Sequence, residues 1–442
     1  MIRGKKYTFV LLFILLWTLP LLACRKQPIS PTPDPTPTLT ADATPTDPDA
    51  PLYLTLHDHN TFVDRSGALH FVGQALNHTA FSCASPRATV RYYDGSGTEI
   101  AQQAGPVHVD ILLPGEKAPF KLSLWDPPPG IDSFKLTISG LQTTARPFAD
   151  VTFGQSRAHV DGDSVTIVGL VQNEGTDAAS QVRIAAALYD KEDVLVDVAA
   201  VSAPLTVLPP DGASPFWLVL SEPHVDGLPA RYDLIAYSRR ASEAEQSAQA
   251  RVAVADTHND TNAVKDLVLL GEIANTGSQN ATTLEAYASF YDAQGQILAV
   301  DQGYVWADVL AAGTRSPFLF ELFGTPDEVD HWQIWVQGKH TDRPIAGPLT
   351  VVETQSWVDG EGIATFDGSI RNDGVQELAW IEVAVTVYGA EGRILSTGWT
   401  VLPGSLAPGE SKPFRFQART AGAASSFHLS AQGQRPGRED GS

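Results

Sequence analysis

Cysteine is nearly absent: the 442 residues hold two, Cys24 and Cys83. Because Cys24 belongs to the amino-terminal segment, Cys83 stands alone in the remainder. No folded unit can then carry an internal disulfide, and metal sites built on several thiolates are excluded. Basic charge is also scarce. Lys and Arg number 30 against 51 Asp and Glu, a formal charge of −21. The first 23 residues hold Arg3, Lys5 and Lys6 and no acid, which leaves −24 for the rest. An acidic surface of this kind repels nucleic acid and anionic membrane surfaces. The motifs G-x-S-x-G, H-E-x-x-H, the Walker loop and S-x-x-K are missing, as is any long run of helical periodicity between Pro51 and Gly433. The chain is therefore expected to be no enzyme and to need no cofactor.

What the sequence does contain is one frame written four times. A G-x-x-x-N segment is followed sixteen residues later by a Tyr: Gly73, Asn77 and Tyr93; Gly169, Asn173 and Tyr189; Gly271, Asn275 and Tyr291; Gly368, Asn372 and Tyr388. A Pro-Phe pair follows each Tyr, at Pro119, Pro215, Pro317 and Pro413, and an aromatic-x-aliphatic pair closes each unit, at Phe134, Tyr232, Trp332 and Phe427. A period of about one hundred residues is too long for a solenoid and suits a chain of complete domains.

Around the Gly, one alternating face reads Phe71, Ile167, Leu269 and Phe366, then Ala75, Val171, Ile273 and Ile370; the other is mixed. That pattern predicts an antiparallel strand with one buried and one wet face. The Asn heads a turn in which its side chain can bond to following amides. Asp94, Asp190, Asp292 and Gly389 open hairpin turns, and the Pro-Phe segment is expected to begin a strand with Pro as its first residue. Short strands at this spacing predict four tandem antiparallel immunoglobulin-like β-sandwiches, an all-β fold. The expected boundaries are 52–150, 151–253, 254–350 and 351–433, with a tail at 434–442.

The amino end reads as an export signal over residues 1–23: a basic start, an apolar run from Phe9 to Leu19 too short to span a bilayer, then Leu21-Leu22-Ala23-Cys24. Its end resembles a bacterial lipobox. The resemblance implies lipidation of Cys24 by diacylglyceryl and an acyl chain, enough for stable anchoring. Residues 24–51, rich in Pro, Thr and Asp, predict a solvated tether that, in polyproline II form, could reach roughly 80 Å.

The segments VRYYD (Val90 to Asp94), AALYD (Ala186 to Asp190), ASFYD (Ala288 to Asp292) and VTVYG (Val385 to Gly389), each after its G-x-x-x-N strand, resemble the FxLYD-type family of bacterial β-sandwich domains. The resemblance covers nearly all of residues 52–433. It implies the sandwich fold and an extracytoplasmic setting, and it brings no catalytic residues.

Few residues invite a chemical role. His57 and His59, two apart on an expected strand, would point the same way as two weak candidate zinc ligands; a polar strand edge is the plainer reading. The acidic turns Asp161-Gly162-Asp163 and Asp359-Gly360-Glu361 offer hard oxygen donors but too few for a dedicated Ca²⁺ loop. Cys83 falls in the expected loop between two signature strands. Trp217, Trp335 and Trp380 lie in the outward phase of their strands, as surface contacts for a protein or glycan or as packing against a neighbouring unit. Taken together, the sequence predicts a lipoprotein anchored by Cys24 on the extracytoplasmic side of a bacterial cell membrane, with its units forming an acidic rod. Its expected role is display, spacing or adhesion through an unknown protein or glycan partner, without nucleic acid. The alternative is an accessory subunit of an envelope transport or secretion complex.

Overall fold

The structure, a computed structural model, describes residues 51–148, 150–221, 227–261, 266–323, 329–345, 348–360, 362–420 and 423–434. The export signal, Cys24 and the Pro/Thr segment therefore lie outside the described residues, as do Glu361 and the tail after Gln434. Among the described residues no helix is long and apolar enough to cross a membrane.

Each unit is an antiparallel sandwich of six principal strands. In unit 1 these are a leading strand Pro51–Val63, a glycine strand Leu69–Leu76, a tyrosine strand Ser82–Tyr93, its hairpin partner Glu99–Pro106, a proline strand Lys117–Leu124 and a closing strand Ser133–Thr143. The same six recur from Val151–Asp161 to Arg231–Arg240, from Val252–Thr261 to His331–Thr341, and from Leu349–Val358 to Ser426–Gln434. One sheet sets the glycine strand between the leading and proline strands; the other sets the tyrosine strand between its hairpin partner and the closing strand. All four leading strands carry a bulge, at Leu56/Asp58, Phe153/Ser156, Val254/Asp256 and Val352/Gln355. In unit 1 the leading strand pairs with the closing strand over Pro51 to Leu54 and with the glycine strand from Thr55 onward, which ties the two sheets together.

Large apolar side chains from both sheets meet between them: Phe71, Tyr92, Phe120 and Phe134 in unit 1, Ile167, Leu188 and Phe216 in unit 2, Phe290, Phe318 and Phe320 in unit 3, Phe366, Val385 and Phe414 in unit 4. The repeated Gly makes room for the Phe of the Pro-Phe pair. A Cβ on Gly169 would lie 2.7 Å from the Phe216 ring and 2.8 Å from the Gln155 carbonyl oxygen. The Tyr92 hydroxyl is buried with no hydrogen-bond partner, and burial pushes its pKa up to about 12. Leu188, Phe290 and Val387 occupy that slot in the other units. Tyr92→Phe should therefore raise the stability of unit 1 by about 1 kcal/mol, because it removes an unsatisfied hydroxyl; a urea midpoint that fell instead would refute this.

The Asn acts as a corner post. Asn77 Nδ2 donates to the carbonyls of Phe81 and Leu112, both at 2.8 Å, and its Oδ1 accepts from the Thr79 amide. The same three bonds form at Asn173, Asn275 and Asn372. Asp94, Asp190 and Asp292 each accept two amides of their own hairpin.

Several expectations are corrected. The proline strands begin two residues before the Pro, so Pro119 pairs with Gln74 inside the ladder. These strands pair with the glycine strand on one side only in units 1, 2 and 4, so the missing N–H costs no sheet bond there. Cys83 is on the tyrosine strand rather than in a loop, fully buried in the core, with its pKa raised to about 11 by burial. Unit 2 is followed by a short helix, Glu243–Ser247, capped by Ser242 and Glu245. The S-x-x-E spacing of a capping box was there to be read.

Candidate functional site

The tyrosine that names the frame points out of its own sandwich and into the unit before it. Tyr189 pairs across its hairpin with Leu195, Tyr291 with Ile297 and Tyr388 with Ile394. The first two pairs land on cross-strand pairs of the preceding glycine and proline strands, Val72/Lys121 and Val168/Trp217, and the third meets the same two strands of unit 3, where the corresponding pair is Leu270/Leu319. Val72 and Val168 are buried with the incoming residues in two small apolar clusters. The face expected to be wet is thus covered in units 1 to 3, because a second sandwich takes the place of water.

Polar bonds fix the seating. At the first joint the Tyr189 hydroxyl accepts from Gln74 Nε2 at 2.7 Å, and Lys121 pairs with Asp197 at 2.7 Å. At the second the Ile297 amide donates to Gln155 Oε1. At the third the Ile394 amide donates to Asp256 Oδ2, and the Tyr388 hydroxyl donates to Glu272 Oε1 at 2.7 Å. The Glu272 side chain is 1% exposed and has Arg315 at 3.4 Å as its cation. Burial first, and then Glu272, push the Tyr388 pKa up.

A second prong comes from the closing strand. Gln337 Nε2 donates to the Pro204 carbonyl while its Oε1 accepts from the Thr206 amide, and Gln432 makes the same two bonds to Trp306 and Asp308. Each Gln is also held by a glutamate of its own tyrosine strand, Glu285 or Glu382. Tyr237 occupies this position in unit 2, beside Arg183, and packs against the unit 1 core.

His108 lies half-buried at the first joint. Burial, and then the Arg183 charge, lower its pKa from 6.5 to about 4. A depressed histidine is neutral when folded, and the unfolded chain takes up the proton first as pH falls. The first joint should therefore be fully stable above about pH 6.5 and lose on the order of 1–2 kcal/mol between there and about pH 4, allowing for partial exposure. A pH series of melting temperatures on the wild type and His108→Gln checks this: the slope over that window should flatten in the variant.

The two ends differ from the joints. Unit 4 places Asp367 and Arg415 where units 1 to 3 hold their receiving pairs, and the two form an ion pair at 2.5 Å. Unit 1 places Tyr93 and Glu99 where units 2 to 4 hold their inserting pairs, with Arg91 3.7 Å from Glu99. Ion pairs thus stand at both ends at the positions that the joints cover; within the joints the one charged member, Lys121, is paired across the joint with Asp197.

The residues singled out from sequence are scattered. Trp217 packs against Tyr287 (6.1 Å between centroids) and the Val168 cluster in the second joint; Trp335 packs beside it against the unit 2 core. Both are joint residues, not a free surface. Trp380 is open, 48% exposed. His57 is the bulge residue and is exposed, whereas His59 stacks on Phe71 in the sandwich; the bulge breaks the alternation that would have paired them. Burial lowers the pKa of His59. Among the described residues no group of three or more His, Cys, Asp or Glu could hold a metal ion. Asp163 is paired with Arg65 at 2.6 Å, and Asp359 Oδ1 accepts the Ile363 amide of its hairpin. Sequence reasoning missed the outward Tyr, Glu272, Gln337 and Gln432. A strictly spaced Tyr whose neighbour already fills the core, and an acid amid the aliphatics of LVLLGEIAN, were the available signals.

No protein-family model and no curated protein matches the chain. Among solved structures it is similar to an Escherichia coli alpha-2-macroglobulin activated by porcine elastase, at 12% identity over 90% of this chain and 44% of that one, with a TM-score of 0.13. The native conformation of E. coli alpha-2-macroglobulin matches at 10% identity over 87% of this chain and 27% of that one, with a TM-score of 0.12. The chain spans less than half the length of either. At such TM-scores the likeness carries no argument, and the fold rests on the strand pairing.

Proposed function

We propose that this chain is a non-catalytic extracytoplasmic lipoprotein, anchored to a bacterial membrane through Cys24, whose stacked β-sandwiches hold a contact surface away from the bilayer for a protein or glycan partner. The observation that carries the reading is the joint. At three successive joints a hairpin pair of Tyr and an aliphatic residue meets the preceding unit, whose Gln74, Gln155 and Asp256 side chains bond the incoming Tyr189 hydroxyl and the Ile297 and Ile394 amides, which favours a stiff spacer over a string of independent modules. The lipobox-like sequence and the Pro/Thr segment ahead of the first strand support the anchor.

The test is metabolic labelling with palmitate. The wild type should incorporate label and partition into detergent, and Cys24→Ala should do neither; an unlabelled wild type overturns the anchor. Cross-linking the native protein in its membrane then separates the two forms of the proposal. A stoichiometric envelope complex favours the accessory-subunit reading, and attachment to varied surface material favours adhesion.

A further inference from the structure

One flank of the molecule departs from the repeat. At the third joint the sheet face of unit 4 is only half covered. Ala384 packs into the unit 3 core and Tyr388 reaches Glu272, while Trp380 and Glu382, on the same face of the same strand, are left beside the joint. On the neighbouring strand Trp399 lies opposite Ala384 and Val401 opposite Glu382. From unit 3, Tyr304 packs against Trp399 with the rings tilted by 32° and centroids 5.0 Å apart. Trp380, Trp399 and Tyr304 are 48%, 39% and 47% exposed. Glu382 is held between them: its Oε1 accepts from the Trp380 indole at 3.0 Å and its Oε2 from Gln432 at 2.7 Å. Its charge also helps raise the Tyr304 pKa, after burial. No basic side chain pairs with it among the described residues.

We propose that this aromatic surface around Glu382 is the docking site for a cationic side chain, an arginine or lysine presented by a basic segment of a partner protein. The inference rests on the reading of the chain as a contact protein and names the chemistry of its partner. Three electron-rich ring faces beside one oriented carboxylate combine cation–π attraction with a charge-assisted hydrogen bond. Two of the three rings have no aromatic counterpart at the second joint, where Gln302 stands for Trp399 and Thr283 for Trp380. A formal charge of −21 adds long-range attraction for the same partner. Neutral glycans could stack on the rings but would make no use of the central charge.

The experiment uses the full-length protein and a Gly-Arg-Gly-Arg-Gly-Arg peptide as probe, with binding read from tryptophan fluorescence and calorimetry. Glu382→Gln and Trp399→Ala should each weaken binding by about tenfold, while Asp211→Asn, an equal charge loss on an exposed turn of unit 2, should leave it unchanged. Glu382→Gln is nearly isosteric and guards against a folding artefact at Trp399. Equal weakening by Asp211→Asn would reveal diffuse attraction and overturn the site. So would failure of the peptide to bind while a neutral hexasaccharide quenches the fluorescence. An anchored protein whose peptide binding ignores Glu382→Gln sinks this inference alone. A protein that takes up no palmitate sinks the anchored reading and leaves the site standing.

Discussion

Replacing Asn275 with Ala should lower the stability of unit 3 by about 3–4 kcal/mol, a large effect for a substitution of one polar side chain. The amide is buried, and its Nδ2 is bonded to the carbonyls of Gln279 (2.9 Å) and Leu310 (3.0 Å). Truncation strands the Leu310 oxygen away from water and releases the Gln279 carbonyl and the Gly277 amide. Each stranded buried group costs about 1–3 kcal/mol, more than the bond it loses would suggest, because its desolvation is no longer offset. Thermal unfolding with unit-resolved hydrogen exchange checks this. Protection should fall first in the turns around residues 276–279 and 310–314, and an Asn275→Ala protein that melts with the wild type would overturn the corner-post role.

The second large effect is expected at the third joint. Tyr388→Phe keeps the ring and removes the hydroxyl that serves the buried Glu272, leaving that carboxylate to Arg315 at 3.4 Å. The loss should be about 2–3 kcal/mol, since a buried charge stripped of a partner is penalised beyond the value of the bond. Glu272→Leu in the Tyr388→Phe background should recover most of it by replacing both polar partners with apolar ones. Calorimetry can read this as unit 4 melting separately from unit 3 in the single variant and together with it in the double variant. Additive losses in the double variant would show that Glu272 and Tyr388 do not act as a pair.

The interior of each sandwich was legible because its physics is local and repeated. An apolar face at period two, a Gly opposite a Phe, and an Asn at a fixed distance from a Leu turn all leave marks that four copies reinforce. The joints were not legible for the opposite reason. Whether Val72 or Leu270 meets water or another sandwich depends on residues more than a hundred positions away, and their apolar character alone does not distinguish a joint from an ordinary exposed aliphatic. The bulge at His57 was lost because one extra residue reverses the direction of the side chains beyond it without changing the pattern around it, and the strand position of Cys83 because an irregularity between Ala84 and Arg87 separates it from the alternating part of its strand. Of the three tryptophans with an outward phase, the sequence could not separate the two that a neighbour covers from the one it leaves open.

The ion pairs at the two ends bear on how such a chain can lengthen. Duplicating unit 2 or unit 3 in place would set one apolar receiving pair against another inserting pair of the same kind, so the molecule could grow from its middle. Copying unit 4 onto the carboxyl end would instead bury Asp367 and Arg415 beneath a new hairpin, and copying unit 1 ahead of itself would bury Glu99 and Arg91. Both would take an exposed ion pair out of water, a cost that the first joint meets at the Arg415 position by giving Lys121 a partner across the joint, Asp197. Lengthening from the middle therefore reuses joints that already fit, whereas lengthening at either end would need a new cross-joint partner for the charge, as Asp197 is for Lys121.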